Sequence, residues 1–333
     1  MDIRPLDIHD EATFRRYHEI AWNAEHDGRS WTSMWTYAEM HAAFHEQTED
    51  ERFEGWCAFH GRHSDQMVGA AFLAFSQADN LDKAYLQVWV EPALRRRGVG
   101  TALVDATVER IRAEGRTVVT GEASYTFEER DDAPTLRWAV RNGFTVANVE
   151  IARDLPLPVS ADLLEGLLTE AAPHHEGYAV ETYDDLPDAY VPSYCALVNQ
   201  LVLDAPMGEL DFEEEQLTPE VFAQKRARDR GAGRRHCFAV AVLDGTVVGL
   251  TDLMLPPEST RSHQWQTLVH RDHRGHRLGQ ALKAANLLAL QRRHPELTEV
   301  HTQNAEVNEQ MVAINDRLGF VPVAVVPDFK RTL

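Results

Sequence analysis

The chain is poor in cysteine, short of positive charge and free of long apolar runs, and each shortage excludes something. Its 333 residues hold three cysteines, Cys57, Cys195 and Cys237. They lie far apart, share no metal-ligand spacing and are too few for a disulfide framework, so they read as reduced, buried thiols of a cytoplasmic protein. Lysine and arginine number 33 against 53 acidic residues, a formal net charge of −20. That excess of acid argues against nucleic acid or an anionic membrane as the main partner. No apolar run reaches the length of a membrane span, and Met1-Asp2-Ile3-Arg4-Pro5 lacks the apolar stretch of a signal peptide. What remains is 44% hydrophobic, enough for two ordinary cores.

Against this acidic background stands a glycine-arginine loop that occurs twice. The first copy is Arg95-Arg96-Arg97-Gly98-Val99-Gly100, running into Thr101-Ala102-Leu103; the second is Arg274-Gly275-His276-Arg277-Leu278-Gly279, running into Gln280-Ala281-Leu282. Each follows an apolar, β-branched run and opens a helical pattern. Each is followed by a short helix ending in Gly-Phe, at Gly143-Phe144 and Gly319-Phe320. Two landmarks recurring at an offset of about 180 residues indicate an internal duplication of domain size. Where a strand enters a helix through glycines, backbone N–H groups and the positive end of the helix dipole face outward, and flanking arginines add charge-assisted donors. A pyrophosphate suits such a loop. The hexapeptide alone also fits an ordinary strand-to-helix turn, and its repeated context is what favours the phosphate reading.

In that context the chain resembles the GNAT superfamily of acyl-CoA-dependent N-acetyltransferases. The family pattern is arginine or glutamine, two residues, glycine, one residue, then glycine or alanine, between the fourth strand and the third helix. Arg95, Gly98 and Gly100 match it; Arg274 and Gly279 also match, but Arg277 stands in place of the middle glycine, with Gly275 supplying freedom earlier in the loop. The resemblance implies an α/β (α+β) protein with two tandem GNAT-like domains, each a mixed, mostly antiparallel central sheet flanked by helices. The domains are expected at 1–155 and 177–333, joined by a linker with a short helix at 156–176, where prolines and glycines punctuate the sequence.

The resemblance further implies acetyl-CoA as co-substrate and no metal. It assigns cofactor binding to Trp89 and Val90 on the fourth strand and to Arg95, Arg96, Arg97, Gly98, Val99, Gly100 and Thr101. In the second half it assigns Leu268, Val269, Arg274, Gly275, His276, Arg277, Leu278, Gly279 and Gln280, with Asn304 and Asn308 at the mouth of the groove. Transfer to an amine needs an oxyanion donor and a base within hydrogen-bond reach. His263 lies where some relatives carry a base, though a hydrogen-bonded histidine fits as well. The tyrosine that many relatives place four residues before the glycine of Gly-Phe is replaced by Ala139 and Asn315; Asn315 retains a hydrogen-bonding group there. Asn304 matches a recurrent asparagine of the fifth strand, for which Glu122 is read as the first-half counterpart. These features lean toward the second half as catalyst.

Other groups carry weaker signals. The acidic run Asp204 to Glu215 reads either as a wall for a cationic amine or as solvated surface. His41 and His45 stand one helical turn apart without a third ligand. Trp22, Trp31 and Trp35 suit a core or an acceptor cleft. The expected function is transfer of an acetyl group from acetyl-CoA to a primary amine of a small molecule, by direct attack in a ternary complex. The alternative is a non-catalytic acyl-CoA-binding sensor or scaffold with degenerate domains. Either would be a monomer or homodimer that binds neither nucleic acid nor membrane.

Overall fold

The computed structural model describes residues 1–61, 64–204 and 206–333. In chain order the first half forms β1 (Asp2–Pro5), α1 (Glu11–His26), α2 (Tyr37–His45), β2 (Glu51–Phe59), β3 (Met67–Ser76), β4 (Lys83–Val90), α3 (Val99–Ala113), β5 (Val118–Glu122), α4 (Pro134–Arg141) and β6 (Thr145–Pro156). The second half forms α5 (Ala161–Ala171), β7 (Ala179–Tyr183), α6 (Val191–Asn199), α7 (Leu201–Asp204), α8 (Pro219–Gly231), β8 (Arg235–Leu243), β9 (Thr246–Leu255), β10 (Arg261–Val269), α9 (Leu278–Arg293), β11 (Glu299–Ala305), α10 (Glu309–Leu318) and β12 (Val321–Thr332). None of the described helices is long and apolar enough to cross a membrane.

Local sequence explains the elements. Asp10 caps α1 by accepting from the backbone of Ala12 and Thr13, and Phe14, Tyr17, Ile20, Ala21 and Ala24 give the helix one buried face. Thr36 and Glu39 close a reciprocal capping box on α2. In the second half, Asp244 and Gly245 take positive φ together, the turn that a tight β-hairpin between β8 and β9 requires.

The chain divides into two compact units, each with its own core. In the first, α1 and α2 cover one face of the sheet through Phe14, Tyr17, Ile20, Met40 and Phe44 against Phe53 and Phe72. On the other face α3 packs Leu103, Val104, Val108 and Ile111 against Leu73, Phe75 and Leu86. The second unit repeats this with α6 against Phe238, Val240 and Leu250, and with α9 and α5 against Cys237, Leu253 and Val300. Strand order is β1-β2-β3-β4-β5-β12 in the first unit and β6-β11-β10-β9-β8-β7 in the second. The β4–β5 and β10–β11 pairs are parallel; the other registered pairs are antiparallel.

The division does not follow the boundary expected at residue 155. The first unit comprises Met1–Val149, Gly208–Asp211 and Val325–Leu333, and the second Glu150–Met207 and Phe212–Ala324. The reason is strand pairing: Asp328–Thr332 of β12 completes the first sheet against β5, while Glu150–Pro156 of β6 completes the second against β11. Nor is 156–176 a free linker. Its helix α5 buries Leu164, Leu167 and Ala171 in the core of the second unit.

Candidate functional site

Two strands that begin side by side and then part define the site. β4 pairs with β5 only over Lys83–Tyr85 against Val118–Thr120, whereas on its other edge it stays paired with β3 through Val90. The backbone of Leu86–Val90 therefore faces an opening on the β5 side. At the point of divergence Gly121 lies so close to the Leu86 carbonyl that a Cβ would sit 2.4 Å from that oxygen, far inside van der Waals contact. A side chain there would force the strands apart at the wrong place. β10 and β11 behave alike, pairing at Arg261–His263 with Glu299–His301 and no further.

The loop after β4 turns into α3 through Gly98, which takes φ +82 and stands at the helix N-cap. With no side chain there, the first N–H groups of α3 face outward as donors for an anion. Arg95, Arg96, Gly98, Val99, Gly100 and Thr101 line a cleft of about 1020 Å³, together with Leu86–Val90 of the parted strand and with Trp138 and Arg141 of α4. Arg97 is exposed and is not part of this lining. Trp138 closes over Gly100, where a Cβ would meet its ring at 3.2 Å. Arg95 donates to Asp27 at 2.6 Å and to the Ala24 carbonyl at 3.0 Å.

Carboxylates and aromatic rings line the same cleft. Glu25 on α1 accepts from Trp89 Nε1 at 2.8 Å and from Gln87 Nε2 at 3.2 Å, and pairs with Arg29 at 3.1 Å. Gln87 in turn accepts from the Tyr85 hydroxyl at 3.1 Å. Tyr85, Gln87 and Trp89 alternate along one face of β4, so a single strand presents two donors to Glu25, with Tyr85 behind Gln87. Glu122, at the end of β5, lines the cleft too, as does Trp31, whose Nε1 donates to Ser124 Oγ at 3.0 Å. Burial, and then Glu122, Glu25 and Asp328, push the Tyr85 phenol well above its usual range. Asp328 is itself raised by burial, against a hydrogen bond from Asn148 at 3.0 Å. The sequence reading missed Glu25, Gln87 and Asp328, because nothing in a helix or strand pattern shows that α1 and β12 meet β4 and β5.

A central parallel pair that parts beside a glycine-arginine turn occurs in both halves, and the sequence matches the acetyltransferase (GNAT) family over residues 14–132 and again over 200–320. The chain belongs to that family. Among solved structures, it is similar to a tandem GNAT protein from the clavulanic acid biosynthesis pathway (without AcCoA). That likeness has 26% identity, covers 99% of this chain and 98% of the other, and gives a TM-score of 0.79. A GCN5-related N-acetyltransferase from Sphaerobacter thermophilus shares 14% identity over 99% of this chain and 95% of its own, with a TM-score of 0.66, a likeness of fold alone. No curated protein sequence matches the chain.

The second GNAT unit keeps the architecture and fills it differently. Arg277, the counterpart of Gly98, holds the turn at φ +53, and Gly275 takes φ +85. Arg274 pairs with Asp204 at 2.8 Å and donates to the Val269 carbonyl at 3.1 Å; Arg271 reaches the same Asp204 at 3.0 Å. Arg277 pairs with Glu170 of α5, and His276 Nδ1 lies 2.8 Å from the His174 carbonyl. Leu268 and Leu278 are buried, and Gly279 abuts Ile314. Gln280 donates to the Leu167 carbonyl at 2.8 Å. Asn308 caps α10 by accepting from the Met311 backbone.

Asn315 is fully buried, accepting from Lys283 Nζ and donating to Asn304 Oδ1, each at 2.6 Å. Burial pushes the Lys283 ammonium down to about 7. Burial, with His301 beside it, pushes His263 down to about 3, leaving a neutral imidazole with little affinity for a proton. Strand register also corrects one pairing of the halves. His301 stands between His263 and Asp154 as Thr120 stands between Tyr85 and Lys330, so the counterpart of Asn304 is Ala123, not Glu122. In the acidic run, Asp204 is held by two arginines, and Glu209 N donates to the Ala147 carbonyl within the first unit. Ala205 lies outside the described residues. His41 and His45 stack, and both ring nitrogens of His45 face backbone carbonyls.

Proposed function

We propose that this GNAT protein is an acyl-CoA-dependent N-acetyltransferase that works in its first unit and acetylates a primary amine of a small molecule. One observation carries the reading: a single cleft joins the Gly98–Gly100 turn, the unpaired edge Leu86–Val90, and the carboxylates Glu25 and Glu122. This moves the expected catalyst from the second half to the first.

The residues present fit an acyl-CoA. Outward N–H groups at the start of α3, with Arg95 and Arg96, suit a pyrophosphate. The N–H and C=O groups of Leu86–Val90 that point away from β3 suit the amides of a pantetheine arm, and an N–H among them suits a thioester oxygen. When bound, acetyl-CoA supplies a thioester carbonyl that an amine nitrogen attacks as the C–S bond breaks and the thiolate leaves. An amine arrives protonated. Glu25 and Glu122 supply negative charge to hold it, and Glu25, oriented by Trp89, Gln87 and Arg29, takes the proton that must leave before attack. The tandem relative from a biosynthetic pathway supports a small-molecule acceptor.

Calorimetric titration of acetyl-CoA into the parent, Gly98→Glu and Gly279→Glu proteins tests the assignment, followed by CoA release across an amine panel. Binding lost in Gly98→Glu and kept in Gly279→Glu, with amine-dependent CoA release, is the expected result. Loss only in Gly279→Glu would return the site to the second unit. Binding without release over diverse amines would leave a sensor or scaffold.

A further inference from the structure

Among the described residues helix α5 has no counterpart in the first unit, and what it touches identifies its role. In the first unit Thr101 and Arg141 line the open cleft beside the Gly98 turn. Their counterparts in the second unit are Gln280 and Arg317, each at the same offset from its own loop or Gly-Phe as its partner. Both are engaged by α5. Gln280 Nε2 donates to the Leu167 carbonyl at 2.8 Å, and Arg317 pairs with Glu170 while donating to Gln280 Oε1 at 2.7 Å. Arg277, at the N-cap of α9, pairs with the same Glu170.

We infer that α5 is a built-in strap and that the Glu170 carboxylate is an internal anion lodged in the second phosphate loop, keeping a pyrophosphate-bearing acyl-CoA out of the second unit. The chemistry of the loop supports this. Two guanidinium groups, one of them carried by the N-cap residue of α9, converge on one carboxylate, and paired guanidinium groups are an arrangement that binds phosphate. The hydrogen bonds from Arg317, and then the charges of Arg317 and Arg277, hold the Glu170 carboxyl below its ordinary range. The carboxylate thus stays ionised in place across ordinary pH. The rest of α5 is fastened independently, by Leu164 and Leu167 in the core. Glu170 is exposed enough to exchange for another anion: its side chain retains 41% of its accessible surface, and those of Arg277 and Arg317 retain 40% and 46%. Asp204 also holds Arg271 and Arg274, much as Asp27 holds Arg95 in the first unit, so what distinguishes the second loop is the Glu170 carboxylate on Arg277 and Arg317.

The inference rests on reading the twin loops as acyl-CoA grips, and its test is chosen to fail separately from the first-unit assignment. CoA is titrated calorimetrically into the parent, Glu170→Gln, Arg277→Glu, and Glu170→Gln with Arg277→Glu, and sites per chain are counted. Glu170→Gln keeps the size and helix propensity of the residue while removing its charge, so the fold is retained; circular dichroism and the thermal midpoint verify this. One additional site in Glu170→Gln, absent again when Arg277→Glu is added, is the expected result. An unchanged count in Glu170→Gln overturns the strap, as does a parent that already fills the second loop, seen as a site lost in Arg277→Glu alone. Because the gain is read against the parent, a silent first unit lowers both counts and leaves the difference intact.

Discussion

Gly98 and Arg277 occupy the same turn in the two units, with φ +82 and +53, although only the first has a residue suited to that conformation. The loops use their glycines at opposite positions: Arg96 and Gly98 take positive φ in the first, Gly275 and Arg277 in the second. A residue with a Cβ is disfavoured there by its own backbone. At Gly98 no heavy atom lies within 4 Å of an added Cβ, so Gly98→Ala isolates the backbone cost. It is expected to destabilise the protein by about 1 kcal/mol without disturbing packing. A urea midpoint lowered with an unchanged slope checks this. The same substitution is expected to weaken acetyl-CoA binding less than Gly98→Glu does, since it adds no charge.

Leu164 offers a test of where the second unit begins. Residues 156–176 read as a connector because prolines and glycines flank them, yet Leu164 is fully buried against α9. Leu164→Ala is expected to cost roughly 2–5 kcal/mol, as for other deletions of a buried leucine. A true linker position would change stability by less than about 0.5 kcal/mol. Denaturant unfolding separates the two.

These cases show which parts of the molecule were legible in the sequence. The twin loops, hairpins and Gly-Phe helices are local patterns, and each forms where its turn chemistry and periodicity place it. β6 and β12 are not legible in this way. Their partners are β11 and β5, more than a hundred residues away in each case, and no local signal reports such pairing. The site followed the same rule: Gly98 and Trp89 were legible, whereas Glu25 and Asp328 gain meaning only through partners on other elements. His263 and Asn315 are the positions that the resemblance offers as candidate catalytic residues. No motif reveals that Asn315 is fully buried between Lys283 and Asn304, or that the surroundings of the half-buried His263 push its pKa down to about 3.

Lys283 should imprint a pH dependence on the second unit. Burial pushes its ammonium down to about 7, from the 10.5 of an exposed lysine. Between those values the unfolded chain binds more protons than the folded one, so stability rises as pH rises through that window and levels off outside it. The change is on the order of a few kcal/mol. Lys283→Met is expected to flatten the rise, at the expense of an unsatisfied Asn315 oxygen. Urea midpoints at about pH 7 and about pH 10, in parent and variant, measure it; an equal rise in both would dismiss Lys283 as its source.

His236 works in the opposite sense. Burial lowers its pKa, but Asp252 at 2.9 Å and Asp229 at 3.2 Å outweigh that and raise it above the ordinary histidine value. The stabilisation is complete below about pH 6.5 and is lost as pH rises through the elevated folded-state value. His236→Gln retains hydrogen bonding without the charge. It is expected to be less stable than the parent at mildly acidic pH and to approach it at alkaline pH. An NMR titration of the His236 ring should give a midpoint above that of an exposed histidine; a midpoint below it would reverse the sign of the whole effect.

Glu25 carries the chemistry of the proposed site, and its removal should be read in rate. Trp89, Gln87 and Arg29 engage its oxygens, so Glu25→Gln keeps the size and much of the hydrogen bonding while removing the proton acceptor. Loss of a general base typically lowers the rate by about a hundredfold to ten-thousandfold. The expected outcome is a fall of that size in kcat/KM for the amine, with acetyl-CoA affinity unchanged because the Gly98 turn is untouched. Raising the pH should restore part of the loss, since more of the amine then arrives unprotonated and needs no base. A variant that loses amine affinity alone, with kcat intact and no recovery at high pH, would reduce Glu25 to a counter-ion and pass the base to Glu122.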